Sequence, residues 1–282
     1  MLVEAAKYHS YGNDFLIVAA GPGPADRAAF ARAVCDPHFG VGGDGCVFLE
    51  RSRKAEAFEF RIHNRDGGQA GMSGNGLRCA AAFLLHRKLA PGPAVLFRTA
   101  SGEKTCELLR ERRGRWLFAS TLGSPSFEPR EVPFVAPETG GPEEWTLEAA
   151  GRPVLVRPLS VGNPQCVVLR EELPGDGEFS ELGPALESHP RFPERTNVSF
   201  VRLAAGGRLR ILIWERGVGP THSSGTGSCG AAVAAIRAGL VTSPVEVETA
   251  TGVQTVEWKP GREIVLTGWA DFIADVTFLW RR

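Results

Sequence analysis

SGNGLRCAAA at residues 73–82 and SGTGSCGAA at residues 224–232 follow one pattern: a serine, a Gly-x-Gly turn and then a helix of small residues. A polar residue lies nine positions before each serine, Asn64 before Ser73 and Glu215 before Ser224. This duplication predicts two halves that fold alike. Because the first N–H groups of a helix lack partners within the helix, two such starts aimed into a shared cleft would bind a carboxylate.

Composition excludes several classes of protein. The chain has 282 residues, 32 basic and 32 acidic, so its formal net charge is zero and nothing indicates a nucleic-acid or membrane partner. Its 6 cysteines form no C-x-x-C pair, which argues against a zinc site or disulfide framework and favours a reducing compartment. We expect no metal and no membrane span, and a cytoplasmic protein.

The order of strand and helix signals predicts an α+β fold. Each half should be a mixed or antiparallel β half-barrel wrapped around a central helix, because a helix that is apolar on nearly all sides is a buried one. We expect an active-site cleft between the halves. A segment rich in proline and glycine at 123–151 is the expected connection. The predicted domains are residues 1–122, with a C-terminal strand at about 271–282, and residues 123–270.

Two other kinds of site are weaker interpretations. Residues 225–230 fit G-x-G-x-x-G, but nine residues separate the first glycine from the strand ending at Glu215, whereas a dinucleotide site needs an immediate turn. Neither Ser73 nor Ser224 lies in the G-x-S-x-G motif of hydrolases. His222 is two residues from Ser224, so a Ser–His pair stays open. Both serines are good N-caps whatever else they do.

Polar residues at strand ends and in loops form a second candidate set. Each is an ordinary turn or surface residue in isolation, but together they offer partners for the ammonium and carboxylate groups of a small zwitterion. An arginine at a strand end can hold a carboxylate through two hydrogen bonds. The set comprises Asn13, Asn64, Asn163, Asn197, Glu215 and Arg216.

With these residues the chain resembles the diaminopimelate epimerases, within the superfamily that includes proline racemase and the phenazine-pathway isomerase. The resemblance covers nearly the whole length. It rests on residues 12–15, 39–45, 64–67, 74–79, 162–168, 194–197, 215–219 and 225–227.

The resemblance implies racemisation at an α-carbon without pyridoxal phosphate or another cofactor, in the lysine and peptidoglycan precursor pathway. In such enzymes one cysteine thiolate removes the α-proton and a second cysteine delivers a proton to the opposite face. This chain has Ser73 and Ser224 at those catalytic positions. Unaided, a serine hydroxyl is a poor base for a C–H group because its pKa lies far above that of a thiol.

The resemblance also assigns binding roles. Asn163, Asn197 and Arg216 correspond to residues that hold the distal end of diaminopimelate, and Asn64 and Glu215 to partners of an amino group. Backbone N–H groups of the two helix starts should receive the reacting carboxylate. Asn13 completes the set, with the helix-start residues Gly74, Asn75, Gly225 and Thr226.

Three hypotheses stay open at this point. The chain could be a diaminopimelate epimerase whose two thiols were replaced. It could be a natural relative that isomerises a similar amino acid, with Ser73, Ser224, His222 or Asp66 in new roles. It could also be a non-catalytic protein that binds an amino acid. In each case the expected partner is a small amino acid, and the resemblance implies a homodimer.

Overall fold

The computed structural model describes residues 1–19, 23–52, 56–138 and 143–281. The chain divides into two compact units. Unit 1 comprises Met1–Thr121 with Thr267–Arg282, and unit 2 comprises Leu122–Leu266. The division expected from the sequence has its boundaries at 122/123 and near 271.

Unit 1 is built from eight strands of the N-terminal part, two helices and the last strand of the chain. The strands are β1 (Leu2–Ser10), β2 (Asn13–Val18), β3 (Gly45–Arg51), β4 (Ala57–Asn64), β5 (Gln69–Ala70), β6 (Ala94–Thr99), β7 (Gly102–Arg112) and β8 (Arg115–Gly123). The helices are α1 (Arg27–Val34) and α2 (Gly74–His86). The last strand of the chain runs over Ile264–Leu279 and is β17.

The strands of unit 1 close into a barrel. The pairing order is β17–β1–β2–β3–β4–β6–β7–β8, and β8 pairs with β17 again. The β2–β3 and β4–β6 pairs are parallel and the other pairs whose register is defined are antiparallel, so the sheet is mixed as predicted. Closure leaves no edge strand in the ring. It is thus more complete than the half-barrel expected from the sequence.

Helix α2 lies inside this barrel. Its first eleven residues, Gly74–Leu84, are all buried, and Leu77, Ala80 and Ala81 pack against the apolar inner faces of the strands. The small residues of the helix allow strands to approach on every side, and its polar residues Asn75 and Arg78 are also buried. Helix α1 packs on the outside of the barrel through Phe30 and Val34.

Unit 2 has a similar set of elements. Its strands are β9 (Trp145–Ala149), β10 (Arg152–Ser160), β11 (Pro164–Arg170), β12 (Asn197–Leu203), β13 (Leu209–Glu215), β14 (Gly219–Thr221), β15 (Val245–Thr249) and β16 (Gly252–Glu257). Its helices are α3 (Asp176–Glu187) and α4 (Gly225–Arg237), with a short 3-10 turn at Ala205–Gly207.

From β10 onward, unit 2 repeats the pairings of unit 1. The β11–β12 and β13–β15 pairs are parallel, like β2–β3 and β4–β6 in unit 1. The β10–β11, β12–β13 and β15–β16 pairs are antiparallel, like β1–β2, β3–β4 and β6–β7 in unit 1. Helix α4 contacts β10–β13, β15 and β16, and its residues from Gly225 to Ala235 are buried. Helix α3 packs on the other face of the sheet through Leu182 and Leu186. The two-fold duplication predicted from the serine motifs therefore extends through the fold.

Two local predictions were wrong. The segment 123–151, expected as a connection, contains β9, and its Val132, Phe134 and Trp145 belong to a buried core; its residues 139–142 lie outside the described part. The C-terminal strand, expected from about residue 271, begins earlier, at Ile264, as part of β17. Gly268 lies within this strand, where a Cβ would approach the guanidinium carbon of Arg78 to 3.0 Å.

Other features bear on the expected class of protein. All six cysteines are buried, and none of them forms a disulfide with another described residue. No helix among the described residues is long and apolar enough to cross a membrane.

Candidate functional site

The two helix starts have nearly identical backbone geometry. Ser73 precedes α2 with φ −137° and ψ 122°, and Ser224 precedes α4 with φ −140° and ψ 126°. Each serine accepts a hydrogen bond from the second glycine of its motif, Gly76 N at 3.1 Å and Gly227 N at 3.2 Å. Both serines are therefore N-caps, as the sequence predicted.

The second glycine of each motif is closely packed. A Cβ at Gly76 would lie 3.2 Å from the Cβ of Ser73 and 3.4 Å from the Cδ1 of Ile62. At Gly227 the same distances would be 3.2 Å to Ser224 and 3.4 Å to Ile213. The first N–H groups of both helices stay outside the intrahelical ladder, so each start has donors and a positive dipole end for an anion.

In unit 1 a polar network surrounds the start of α2. The Nδ2 of Asn75 donates to Asn13 Oδ1 at 3.2 Å, and the Nδ2 of Asn13 donates to Asp44 Oδ2 at 2.7 Å. Arg78, which is fully buried, donates to Asn75 Oδ1 and to Ser10 Oγ, the latter at 3.2 Å. The structure thus joins Asn13 and Asn75, two residues that the sequence analysis selected separately.

Unit 2 has a different network at the equivalent place. The hydroxyl of Ser224 donates to Glu215 Oε1 at 3.3 Å and lies 3.4 Å from Thr226 Oγ1. Asn163 Nδ2 donates to Thr226 Oγ1 at 3.3 Å, and Gln165 Nε2 donates to Asn163 Oδ1 at 2.7 Å. Ser224 is only 4% exposed, whereas Ser73 is half-buried. The two serines therefore differ in surroundings although they share a backbone geometry.

Comparison with known proteins identifies the family. The family described as Diaminopimelate epimerase matches residues 5–127 and 158–273. The diaminopimelate epimerase of Desulforudis audaxviator is 40% identical over 259 residues, 91% of each chain. That of Pelotomaculum thermopropionicum is 35% identical over 278 residues, 98% of each chain. The chain belongs to the diaminopimelate epimerase family.

Two solved structures of other proteins share the fold of this diaminopimelate epimerase family member. A hydroxyproline epimerase from Agrobacterium vitis has a TM-score of 0.69 at 19% identity, covering 98% of this chain and 92% of its own. A phenazine biosynthesis protein of the PhzF family from Bacillus anthracis also has a TM-score of 0.69, at 14% identity, covering 99% of this chain and 100% of its own. The fold inferred from the sequence motifs is confirmed.

The remaining predicted residues of this family member lie at the ends of strands. Asn197, at the start of β12, is buried; its Oδ1 accepts from Arg216 N at 3.0 Å and its Nδ2 donates to Pro164 O at 3.0 Å. The exposed Arg216 donates from Nη1 to Glu194 O at 3.1 Å. Asn197 therefore ties the segment that carries Arg216 to the strand that follows Asn163.

Some candidates remain outside these networks. Asn64 is exposed at the end of β4, where its backbone N–H donates to Gly68 O at 2.8 Å. Asp66 forms a turn by accepting from Gly68 N at 2.7 Å. His222 is exposed, and no hydrogen bond between its ring and Ser224 occurs in the described part of the chain, which removes the Ser–His pair.

Sequence analysis gave no role to three residues of these networks. Asp44 and Arg78 lie inside recognised motifs, and Gln165 follows the Gly-Asn-Pro turn. Strand pairing brings Asp44 to Asn13, whereas Arg78 and Gln165 lie three and two residues from their partners Asn75 and Asn163. For Arg78 and Gln165 the available signal was a charged or amide residue in an otherwise apolar, buried segment, whereas Asp44 is exposed.

Proposed function

We propose that this chain acts on diaminopimelate or a closely similar diamino-dicarboxylic acid, as a cofactor-independent epimerase at the α-carbon. The observation that carries the proposal is the pair of serine-capped Gly-x-Gly helix starts in a member of this family. Each start offers N–H donors to a carboxylate, and the reaction needs donors that stabilise the charge which develops on the carboxylate when the α-proton leaves.

The other binding groups suit a zwitterion with two polar ends. We assign the α-carboxylate to the N–H groups at Gly74–Asn75 and Gly225–Thr226. The distal carboxylate is assigned to Arg216 and Asn163, with Asn197 holding Arg216 in position. Asn64 and Glu215 are assigned to amino groups, and Asn13 to the unit 1 side of the site.

We further propose that Ser73 and Ser224 occupy the proton-transfer positions and support the reaction poorly. A thiol ionises near pH 8.5, and lower at a helix N-terminus, whereas a serine hydroxyl does so far above neutrality. The single proton of Ser224 is directed to Glu215, and its oxygen accepts from Gly227 N. The unaltered protein should therefore turn over slowly.

The test is to restore the thiols. Ser73→Cys with Ser224→Cys should raise epimerisation of LL-diaminopimelate by at least about a hundredfold, because matched acid–base groups contribute factors of this size. Each single variant should gain less, since one face then lacks a suitable group, although it should exchange the α-proton with solvent deuterium. The assay uses reducing conditions and mass spectrometry. Ser188→Cys, at the exposed end of α3, controls for an added thiol.

A folded, reduced double variant that neither exchanges nor epimerises would refute diaminopimelate as substrate. Fast turnover by the unaltered protein would refute the argument from hydroxyl acidity.

The hydrogen bonding of Ser224 favours a second candidate, binding without turnover. A serine that is hydrogen-bonded to Glu215 and Gly227 can cap the helix and help to recognise an ammonium group without taking part in proton transfer. Calorimetric binding of diaminopimelate, with no deuterium incorporation after prolonged incubation, would support this candidate over the first.

We also propose a cytoplasmic homodimer. The family resemblance supports the dimer, and buried cysteines without a disulfide among the described residues are consistent with a reducing compartment. Sedimentation equilibrium tests the dimer directly, and a monomer at micromolar concentration would refute it.

A further inference from the structure

A carboxylate lies at the end of α3, where both the helix and burial disfavour its charge. Glu187 is the last residue of the helix and is only 8% exposed. The carbonyl groups of a last helical turn form the negative end of the helix dipole, so they repel an anion. Burial also removes the water that would solvate the charge. The groups around Glu187 must therefore offset both costs.

The side chain of Glu187 contacts groups that only donate hydrogen bonds. Gly217 N donates to Oε1 at 2.8 Å, and Trp214 Nε1 donates to Oε2 at 2.9 Å. Arg195 Nη1 is a third donor, 3.4 Å from Oε1. Both oxygens must therefore accept. An ionised carboxylate does so, whereas the amide of a glutamine accepts at one end only.

The hydrogen bond from Gly217 anchors the turn that carries Arg216. This turn joins β13 to β14, and its residues are exposed. The N–H group of Arg216 donates to Asn197 Oδ1 at 3.0 Å, and the next N–H group, that of Gly217, donates to Glu187. Two buried side chains therefore hold consecutive residues of an exposed turn.

The main chain of Glu187 holds a second segment that contacts Arg216. The carbonyl oxygen of Glu187 accepts from Thr196 N at 3.0 Å, and Glu194 O accepts from Arg216 Nη1 at 3.1 Å. Between these two residues Arg195 has a φ of 58°, which few residues other than glycine adopt, and its guanidinium contacts Glu187. Glu187 thus joins the turn that carries Arg216 to the segment that receives its guanidinium.

We propose that Glu187 is a positioning residue for Arg216. Its carboxylate fixes the turn, so that the guanidinium is held where it can bind a carboxylate of the bound molecule through two hydrogen bonds. Without this anchor the turn can move, and that contact should weaken. The carboxylate of the bound molecule rests on the proposed function, whereas the anchoring of the turn does not.

The first test needs no ligand and compares two variants that differ in one acceptor. Trp214→Phe removes the indole donor, so in this background a single acceptor at position 187 is free for Gly217. Glu187→Gln supplies that acceptor, and Glu187→Met, of similar volume, does not; both remove the charge at the helix end. By NMR, the amide of Gly217 should exchange with deuterium roughly tenfold faster in the Met variant than in the Gln variant, the effect of one hydrogen bond.

An amide on another helix of unit 2 is the reference. Ser228 N donates to Ser224 O at 3.0 Å in α4, and its exchange should be the same in both variants. Equal exchange of the Gly217 amide in the two variants would overturn the proposal. Equal acceleration of both amides would indicate a merely structural role and would also overturn it. If Trp214→Phe prevents folding, Glu187→Met in the otherwise unaltered protein allows the same comparison of the two amides.

The second test compares meso-diaminopimelate with L-lysine, which lacks the distal carboxylate. In the Trp214→Phe background, calorimetry should show roughly tenfold weaker binding of diaminopimelate to the Glu187→Met variant than to the Glu187→Gln variant, and equal binding of lysine. Equal losses for both molecules would overturn the inference. If the unaltered protein binds no diaminopimelate, the proposed function fails, while the exchange test still decides whether Glu187 anchors the turn.

Discussion

Serine and cysteine at one helix start differ chiefly in the pH at which they ionise. Ser73 is half-buried and Ser224 nearly buried, yet both cap a helix whose first N–H groups stabilise a negative charge. The cysteines of the chain differ from these serines because burial opposes their ionisation. Burial raises the pKa of Cys106 to about 11 and of Cys35 to about 12, so these thiols stay protonated at neutral pH.

These surroundings give a prediction for thiol reactivity. The unaltered protein should react negligibly with iodoacetamide at pH 7–8, whereas Ser73→Cys should react and its rate should rise with pH as the thiolate forms. Ser224→Cys should have a higher pKa than Ser73→Cys, because the carboxylate of Glu215 adjoins it. Rates of alkylation measured from pH 5 to 10 give both values. Equal pKa values for the two variants would contradict the contribution of Glu215.

At the scale of the element, packing of α3 against β13 depends on one glycine. A Cβ at Gly183 would lie 2.5 Å from the Cε3 of Trp214. The ring cannot move away cheaply, because its Nε1 donates to Glu187 Oε2 at 2.9 Å. Glu187 also accepts from Gly217 N at 2.8 Å, so the contact connects α3 to the segment that follows Arg216.

Gly183→Ala should therefore lower the free energy of unfolding by about 1–3 kcal/mol, the usual cost of overpacking. Gly177→Ala on the same helix is the matched control. That site is exposed and a Cβ would meet nothing within 4 Å, so alanine should be neutral or stabilise by up to about 1 kcal/mol. Urea denaturation of the two variants measures the difference. A neutral Gly183→Ala would mean that α3 shifts freely over Trp214.

At the scale of the whole chain, the barrel of unit 1 depends on its last strand. Strand β17 pairs with β1 from Leu2 opposite Leu279 to His9 opposite Asp271, and it also pairs with β8. Phe272 packs edge-on against Tyr8 at 5.3 Å between ring centroids. The first and last strands of the chain therefore complete one core.

Removal of residues 271–282 should open this barrel. It would leave the edge of β1 without a partner and remove Phe272 from Tyr8, so aggregation and binding of a hydrophobic dye should increase. Removal of residues 281–282 alone is the control and should leave the melting temperature nearly unchanged. Gel filtration and thermal denaturation measure both. A monomeric, cooperatively folded protein after the longer deletion would show that β17 is dispensable.

The positions of most elements were predictable because local signals agree with the fold. Ser73 and Ser224 cap α2 and α4, as their spacing indicated. Errors occurred where tertiary packing overrides a local signal. The C-terminal strand begins at Ile264, earlier than expected, and Val132 and Phe134 contribute to a core although their neighbours are typical of a loop.

The sequence by itself determined the duplication, the family and the presence of a serine before each helix start, because each is written in residue types at fixed spacing. Only the tertiary structure decided that the barrel of unit 1 closes through β17, that Asn13 contacts Asp44 and Asn75, and that Asn163 contacts Thr226. Strand closure and these contacts join groups that are far apart in the chain, so their proximity exists only after strands pair and helices pack against them.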